Sequence, residues 1–170
     1  MFDRRHTLAA AAALAFSVLV QLPAFALDKP KGRVILTVSG QVSERNAGAV
    51  AEFDMDMLAA LPQQSFTTMT PWYKQPRKFT GPLLRDVLAA VGAKGTVIKA
   101  VALNDYKAEL PLDDARQHGV ILARLMDDKP MAVRDKGPLF IVYPFDSDEA
   151  LRSERYYNRS AWQLKLLEIE

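Results

Sequence analysis

Phe79-Thr-Gly-Pro-Leu-Leu-Arg-Asp-Val-Leu-Ala-Ala-Val-Gly92 is the stretch on which the reading of the fold turns. Pro82 suits a first helical position, because its φ is preset and its missing N–H would have no intrahelical partner there. Leu84, Val87, Leu88 and Val91 recur at threes and fours and make one apolar stripe. Gly92 accepts the left-handed conformation that closes a helix. The spacing therefore predicts a helix over residues 82–91, the clearest in the chain.

Strand patterns flank it on both sides. Downstream, residues 97–103 alternate, Asn104-Asp105 marks a turn, and residues 106–110 return as the hairpin partner. Asp113-Asp114 can cap a single turn before Gly119. Residues 120–126 read as a strand, Asp127-Asp128 as a turn, and residues 130–133 as a short continuation. The continuously apolar residues 139–143 read as a central buried strand. Trp162, Leu164 and Leu166 alternate with Gln163 and Lys165 in a closing strand. Upstream, residues 33–39 make a strand with Val34, Leu36 and Val38 on one face. Asp54 or Asp56 caps a short helix that Pro62 stops after Leu61, and residues 65–70 form another strand. Residues 72–81, rich in Lys, Arg and Pro, read as an exposed loop. Many short strands with one good helix imply a β-rich α+β domain.

Composition narrows the chemistry. Arg4 and Arg5, the apolar residues 7–22, Pro23 and Ala24-Phe25-Ala26 form a secretory signal with its cleavage site, shorter than the roughly 20 residues a spanning helix needs. The expectation is export to the periplasm, cleavage after Ala26 and one domain over residues 27–170. Removing Arg4, Arg5 and Asp3 lowers the formal charge from +2 to +1, so nothing suggests nucleic acid, which demands a concentrated basic surface. The chain has no cysteine, so thiolate chemistry, Cys-bound zinc and iron–sulfur clusters are excluded. His118 is the one histidine left after the signal, too few for a transition-metal site built on imidazoles.

The order of segments resembles the molybdopterin-binding domain of the sulfite oxidase superfamily, in a short periplasmic form. The matching pieces are Phe79-Thr-Gly-Pro-Leu-Leu-Arg-Asp-Val-Leu88 and Ala102-Leu-Asn-Asp-Tyr-Lys-Ala-Glu-Leu-Pro111. They continue through Ile121-Leu-Ala-Arg-Leu-Met-Asp-Asp-Lys-Pro-Met131, Val133-Arg-Asp-Lys-Gly-Pro-Leu-Phe-Ile-Val-Tyr-Pro144 and Arg159-Ser-Ala-Trp-Gln-Leu164. The resemblance implies a β-rich mixed-sheet α+β domain with a few short helices. Its catalytic members hold molybdenum through a cysteine sulfur. Comparison of Phe66-Thr-Thr-Met-Thr-Pro-Trp72 with that segment puts Thr68, with Thr70 as the alternative, in the cysteine's slot. A threonine hydroxyl is a hard, weakly acidic oxygen and does not replace a thiolate on molybdenum. The expectation is a domain that kept the fold and lost the molybdenum cofactor. Residues 67–72 and 134–138 are similar to cysteine-free members that bind free reduced pterins in the periplasm. Those members pass the signal to the outer domain of a membrane-bound cyclic-di-GMP enzyme, a diguanylate cyclase or phosphodiesterase. The resemblance thus implies a tetrahydro- or dihydropterin ligand, such a partner and no catalysis. Two other readings stand beside it: an oxidoreductase holding its cofactor without a cysteine, and a ligand-free interaction module.

A pterin wants a stacking surface, a carboxylate for its N–H groups and donors for its keto oxygen. Trp72 can stack on it or pack into the core. Thr68 and Thr70 can line the former metal site or be ordinary strand residues. Asp105 can accept from the pterin, with Tyr106 as a wall and Asn104 beside them, yet Asn-Asp is also a favoured turn pair. Arg134 can face a keto oxygen or form an ion pair with Asp135. Tyr143 and Trp162 are ligand contacts or packing residues. Arg152, Arg155 and Arg159, with Tyr156 and Tyr157 between them, form a basic-aromatic edge or a solvated face. His118 reads as a surface or turn residue.

Overall fold

The closing strand lies at the middle of the largest sheet. The computed structural model describes residues 27–170; the expected export signal lies outside them. Strand β1 (Leu36–Gly40) is flanked by β2 (Ala51–Phe53), antiparallel, and by β11 (Leu164–Ile169), parallel. On its other side β11 runs antiparallel to β5 (Val97–Ala102), which pairs with β6 (Lys107–Pro111) as the expected hairpin. The register shifts between Leu164 and Leu166. A bulge changes the parity of a strand, so Leu164, Leu167 and Ile169 enter the core while Leu166 is only half-buried. This corrects the simple alternation read from the sequence. Leu36 and Val38 are fully buried, but Val34 precedes the strand and is 39% exposed.

A second sheet has the order β3 (Gln63–Thr68), β4 (Arg77–Pro82), β8 (Leu125–Met126), β9 (Lys129–Pro130). The expected loop over residues 72–81 therefore ends as a strand, with Phe79 fully buried. Gly81 is required there, because a Cβ would overlap the Leu122 carbonyl. The expected strand over residues 120–126 divides at Arg124 into β7 (Ile121–Ala123) and β8, which belong to different sheets. Strand β10 (Phe140–Val142) is buried throughout, as its apolar run required, but its one strand partner among the described residues is β7, in a two-stranded ribbon, with an isolated bridge from Phe140 to Trp162 on the other side. It is buried without being central to a sheet.

The helices are short. Helix α1 (Met55–Ala60) is capped by Asp54, whose Oδ1 accepts from Met57 N–H at 2.9 Å. Oδ2 accepts from the N–H groups of Lys31 and Gly32, and these donors hold the carboxyl below its usual range. Helix α2 (Leu84–Ala90) starts two residues later than predicted, because Pro82 is still paired with Gln63 in the second sheet. Its predicted stripe of Leu84, Val87, Leu88 and Val91 is buried, and Gly92 takes φ +58°. In α3 (Leu112–Gln117) the cap is Pro111, and both aspartates fall in the first turn. Helix α4 (Glu154–Arg159) carries Arg155, Tyr156, Tyr157 and Arg159 of the arginine–tyrosine run, and Arg152 precedes it. Among the described residues, no helix is long and apolar enough to cross a membrane.

Candidate functional site

Where β3 ends, the chain is stitched to the segment that follows β10. Asp146 N–H donates to Thr68 Oγ1 at 3.0 Å, and Met69 N–H donates to Asp146 Oδ2 at 2.7 Å. Thr68 Oγ1 in turn donates to the Met69 carbonyl at 3.3 Å. The Thr68 hydroxyl is thus occupied as both donor and acceptor, and its residue is 1% exposed. Two residues on, Thr70 is also buried, but its Oγ1 has no hydrogen-bond partner. It lines a cleft of about 490 Å³ with Met69, Pro71, Asp146, Arg152 and Tyr157. That volume falls in the range of roughly 300–1,000 Å³ usual for small-molecule sites.

The cleft combines complementary groups. Asp146 Oδ1 lies 3.3 Å from an Arg152 amino group, and Arg152 Nε donates to the Phe145 carbonyl at 3.2 Å. A carboxylate that accepts N–H groups and a guanidinium that donates to a keto oxygen therefore stand side by side on one wall. Tyr157 is only partly buried, and its ring backs onto Phe145 and Trp72, with centroids 5.0 and 6.1 Å away. Trp72 meets Phe140 and Trp162 edge to face, both at 5.4 Å, so its packing role is occupied. The Lys136 ammonium rests 3.9 Å from the centroid of the Trp162 ring, and burial pushes its amine below the usual range.

A separate polar cluster is closed. Asp114, from the first turn of α3, accepts through Oδ2 from Tyr143 Oη and from Arg159, both at 2.8 Å. Tyr143 is fully buried, and burial together with the Asp114 carboxylate pushes its phenol well above the usual range. The Arg159 guanidinium lies 5.3 Å from the centroid of Tyr156, which packs on His118 at 5.3 Å. The structure therefore does not bring Tyr143 to a ligand. Its hydroxyl is already used, and Arg159 is paired beside it. His118, expected as a surface or turn residue, is the C-cap of α3 beside Gly119, half-buried between tyrosines.

Other candidates lie apart from the cleft. Asn104 Oδ1 accepts from Tyr106 N–H at 3.2 Å within the β5–β6 turn, where Asp105 has φ 65°. Asp105 pairs with Lys165 at 2.7 Å, and that ammonium holds its carboxyl low. Tyr106 is 53% exposed. Arg134 lies 3.5 Å from Asp135 with an 88% exposed side chain. Of the candidate residues, Thr70 and Tyr157 line the cleft, Thr68 sits behind its wall, and Trp72 and Trp162 support it. Sequence reasoning missed Met69, Asp146 and Asp114 as site or cluster members. Asp146 carries no local pattern, and Asp114 reads as a helix cap. Arg152 was noticed, but only as part of a basic edge.

Residues 33–146 match the model of the family described as oxidoreductase molybdopterin binding domain. Among solved structures, the chain is similar to the sulfane dehydrogenase SoxCD from Paracoccus pantotrophus, with 18% identity and a TM-score of 0.60. The likeness covers 79% of this chain and 37% of that one, so the chain spans little more than a third of its neighbour. No curated protein matches. The residues present do not fit a molybdenum centre held through sulfur. There is no cysteine, and the threonine that lines the cleft carries only a hard neutral oxygen. Among the described residues, no three His, Asp or Glu side chains gather into a metal-holding group.

Proposed function

Because the chain belongs to the oxidoreductase molybdopterin binding domain family and yet holds no cysteine, we propose that it binds a reduced pterin without metal. In this reading it is an exported, non-catalytic protein that regulates a membrane-bound cyclic-di-GMP enzyme according to whether pterin is bound. The observation that carries it is the open cleft that sets the Asp146–Arg152 pair beside Tyr157 and Thr70, with the Thr70 hydroxyl buried and unpaired in its wall. A buried hydroxyl without a partner costs about 1–3 kcal/mol, and a ligand that supplies the missing bond recovers that cost. The Asp146 carboxylate suits the amino and ring N–H edge of a pterin, Arg152 and Thr70 suit its keto oxygen, and Tyr157 offers a ring face.

Calorimetric titration of the purified protein with a tetrahydropterin tests this. The expected result is 1:1 binding that weakens about tenfold in Thr70→Val and in Asp146→Ala, the loss of one good hydrogen bond each. Absence of heat with both tetrahydro- and dihydropterin overturns it. The family description favours a second reading, an oxidoreductase whose molybdenum cofactor is held through its pterin phosphate alone, without a cysteine. Stoichiometric molybdenum in protein isolated from its native host would establish that reading and displace the first.

A further inference from the structure

Five large apolar residues are exposed among those described: Val34, Met69, Leu103, Tyr106 and Val133. Single exposed apolar residues are ordinary on a protein surface, whereas a group of them marks a contact site. Val34, Leu103 and Val133 line one hollow of about 460 Å³, remote in composition from the Thr70 cleft and sharing none of its residues. Its floor is the outer face of the five-stranded sheet. Thr37 and Leu166 are register partners there, while their neighbours Val38 and Leu167 point into the core. The bulge in β11 puts Leu166 on this outer face, opposite Val101 in register.

The rim has one sign of charge. Arg33 and Lys165 line the hollow, and no aspartate or glutamate does. Lys165 holds Asp105, an 82% exposed side chain that an incoming carboxylate can displace. Arg33 enters no ion pair among the described residues. We infer that this hollow is a docking site for a segment of another protein that carries a large apolar side chain flanked by carboxylates. A second copy of this chain is the poorer occupant. Two such faces meeting about a two-fold axis would set Arg33 and Lys165 against their own counterparts. The inference does not depend on pterin binding, since the two sites share no residue.

Fluorescence anisotropy with labelled synthetic peptides tests it. One peptide carries a Glu-Leu-Phe-Glu centre, and its control carries Lys-Leu-Phe-Lys. The acidic peptide is expected to bind the protein at least about tenfold more tightly than the control. Joint Leu103→Ser and Val133→Ser substitution, at positions already exposed, should abolish that binding, and Arg33→Glu should reverse the preference between the peptides. Melting curves and pterin titration of each variant confirm that the fold and the cleft are intact. Equal binding of both peptides, or binding indifferent to the serine variants, overturns the inference. So does a sedimenting dimer that Val133→Ser disperses, because the occupant is then a second copy.

Discussion

Thr70 and Asp114 are both buried polar residues, and the fold treats them in opposite ways. Asp114 satisfies a phenol and a guanidinium at once, in a cluster from α3, the end of β10 and α4. Thr70, at the mouth of a cleft, is left with nothing. Buried polar groups are nearly always paired, so the closed cluster needs only a structural explanation while the unpaired hydroxyl asks for a functional one. The contrast separates residues that resemblance alone would group together. Tyr143 and Arg159 belong to the cluster that holds the ribbon to the helices, and Thr70 and Tyr157 belong to the site. Tyr73 Oη and Arg77 Nε are also unpaired, but neither lines this cleft.

The contrast breaks most visibly at Asp114. Asp114→Asn should cost about 3 kcal/mol by chemical denaturation, because it strands a guanidinium that is only 22% exposed. Pterin affinity of the folded fraction should not change. A variant that loses binding while keeping its stability would merge the two regions and sink the distinction.

Tyr143→Phe should cost less, about 2 kcal/mol, the worth of one hydrogen bond to a charged acceptor. It also carries a pH signature. The folded phenol is raised above the value near 10 of a free tyrosine. Its contribution is fully present below pH ~10 and is lost as pH rises above that, since the unfolded chain ionises first. Denaturation midpoints of the parent protein should therefore fall more steeply between pH 10 and 11 than those of Tyr143→Phe. Parallel curves would remove the buried phenol from the account.

The sign reverses at Thr70. Thr70→Val removes an unpaired hydroxyl and should stabilise the ligand-free protein by about 1 kcal/mol. The same change should weaken pterin binding, so stability and affinity move in opposite directions. A loss of stability in Thr70→Val would mean that the hydroxyl has a partner after all. At the small end, Arg134→Ala should change stability by less than about 0.5 kcal/mol and leave pterin affinity alone, because its 3.5 Å ion pair is exposed to solvent. A marked loss of affinity there would extend the site to the loop over residues 132–138.

Much of the architecture was legible in local patterns. The stripe of Leu84, Val87, Leu88 and Val91, the hairpin around Asn104-Asp105 and the apolar residues 139–143 all fold in the expected type of element. The misreadings share a cause. Residues 77–81 look like the end of a loop because of Arg77 and Lys78, and Pro82 like a helix start, yet residues 77–82 form a strand because β3 and β8 lie on either side to pair with them. The alternation in the closing strand fails at its bulge, which the pairing of β11 with β5 introduces.

By itself the sequence determined the α+β class, the order of segments that resembles the family, and the absence of any thiolate donor. The class and the missing thiolate follow from periodicity within a few residues and from composition, which need no tertiary contact, and the family order is carried by the resemblance of the quoted segments. Only the tertiary structure decided that Thr68 is spent on Asp146, that the Thr70 hydroxyl is buried without a partner, and that Tyr143 and Arg159 belong to Asp114. Those assignments join residues 29 to 78 positions apart. Whether a hydroxyl is satisfied depends on what the rest of the chain brings within about 3 Å of it, and no spacing along the sequence encodes that.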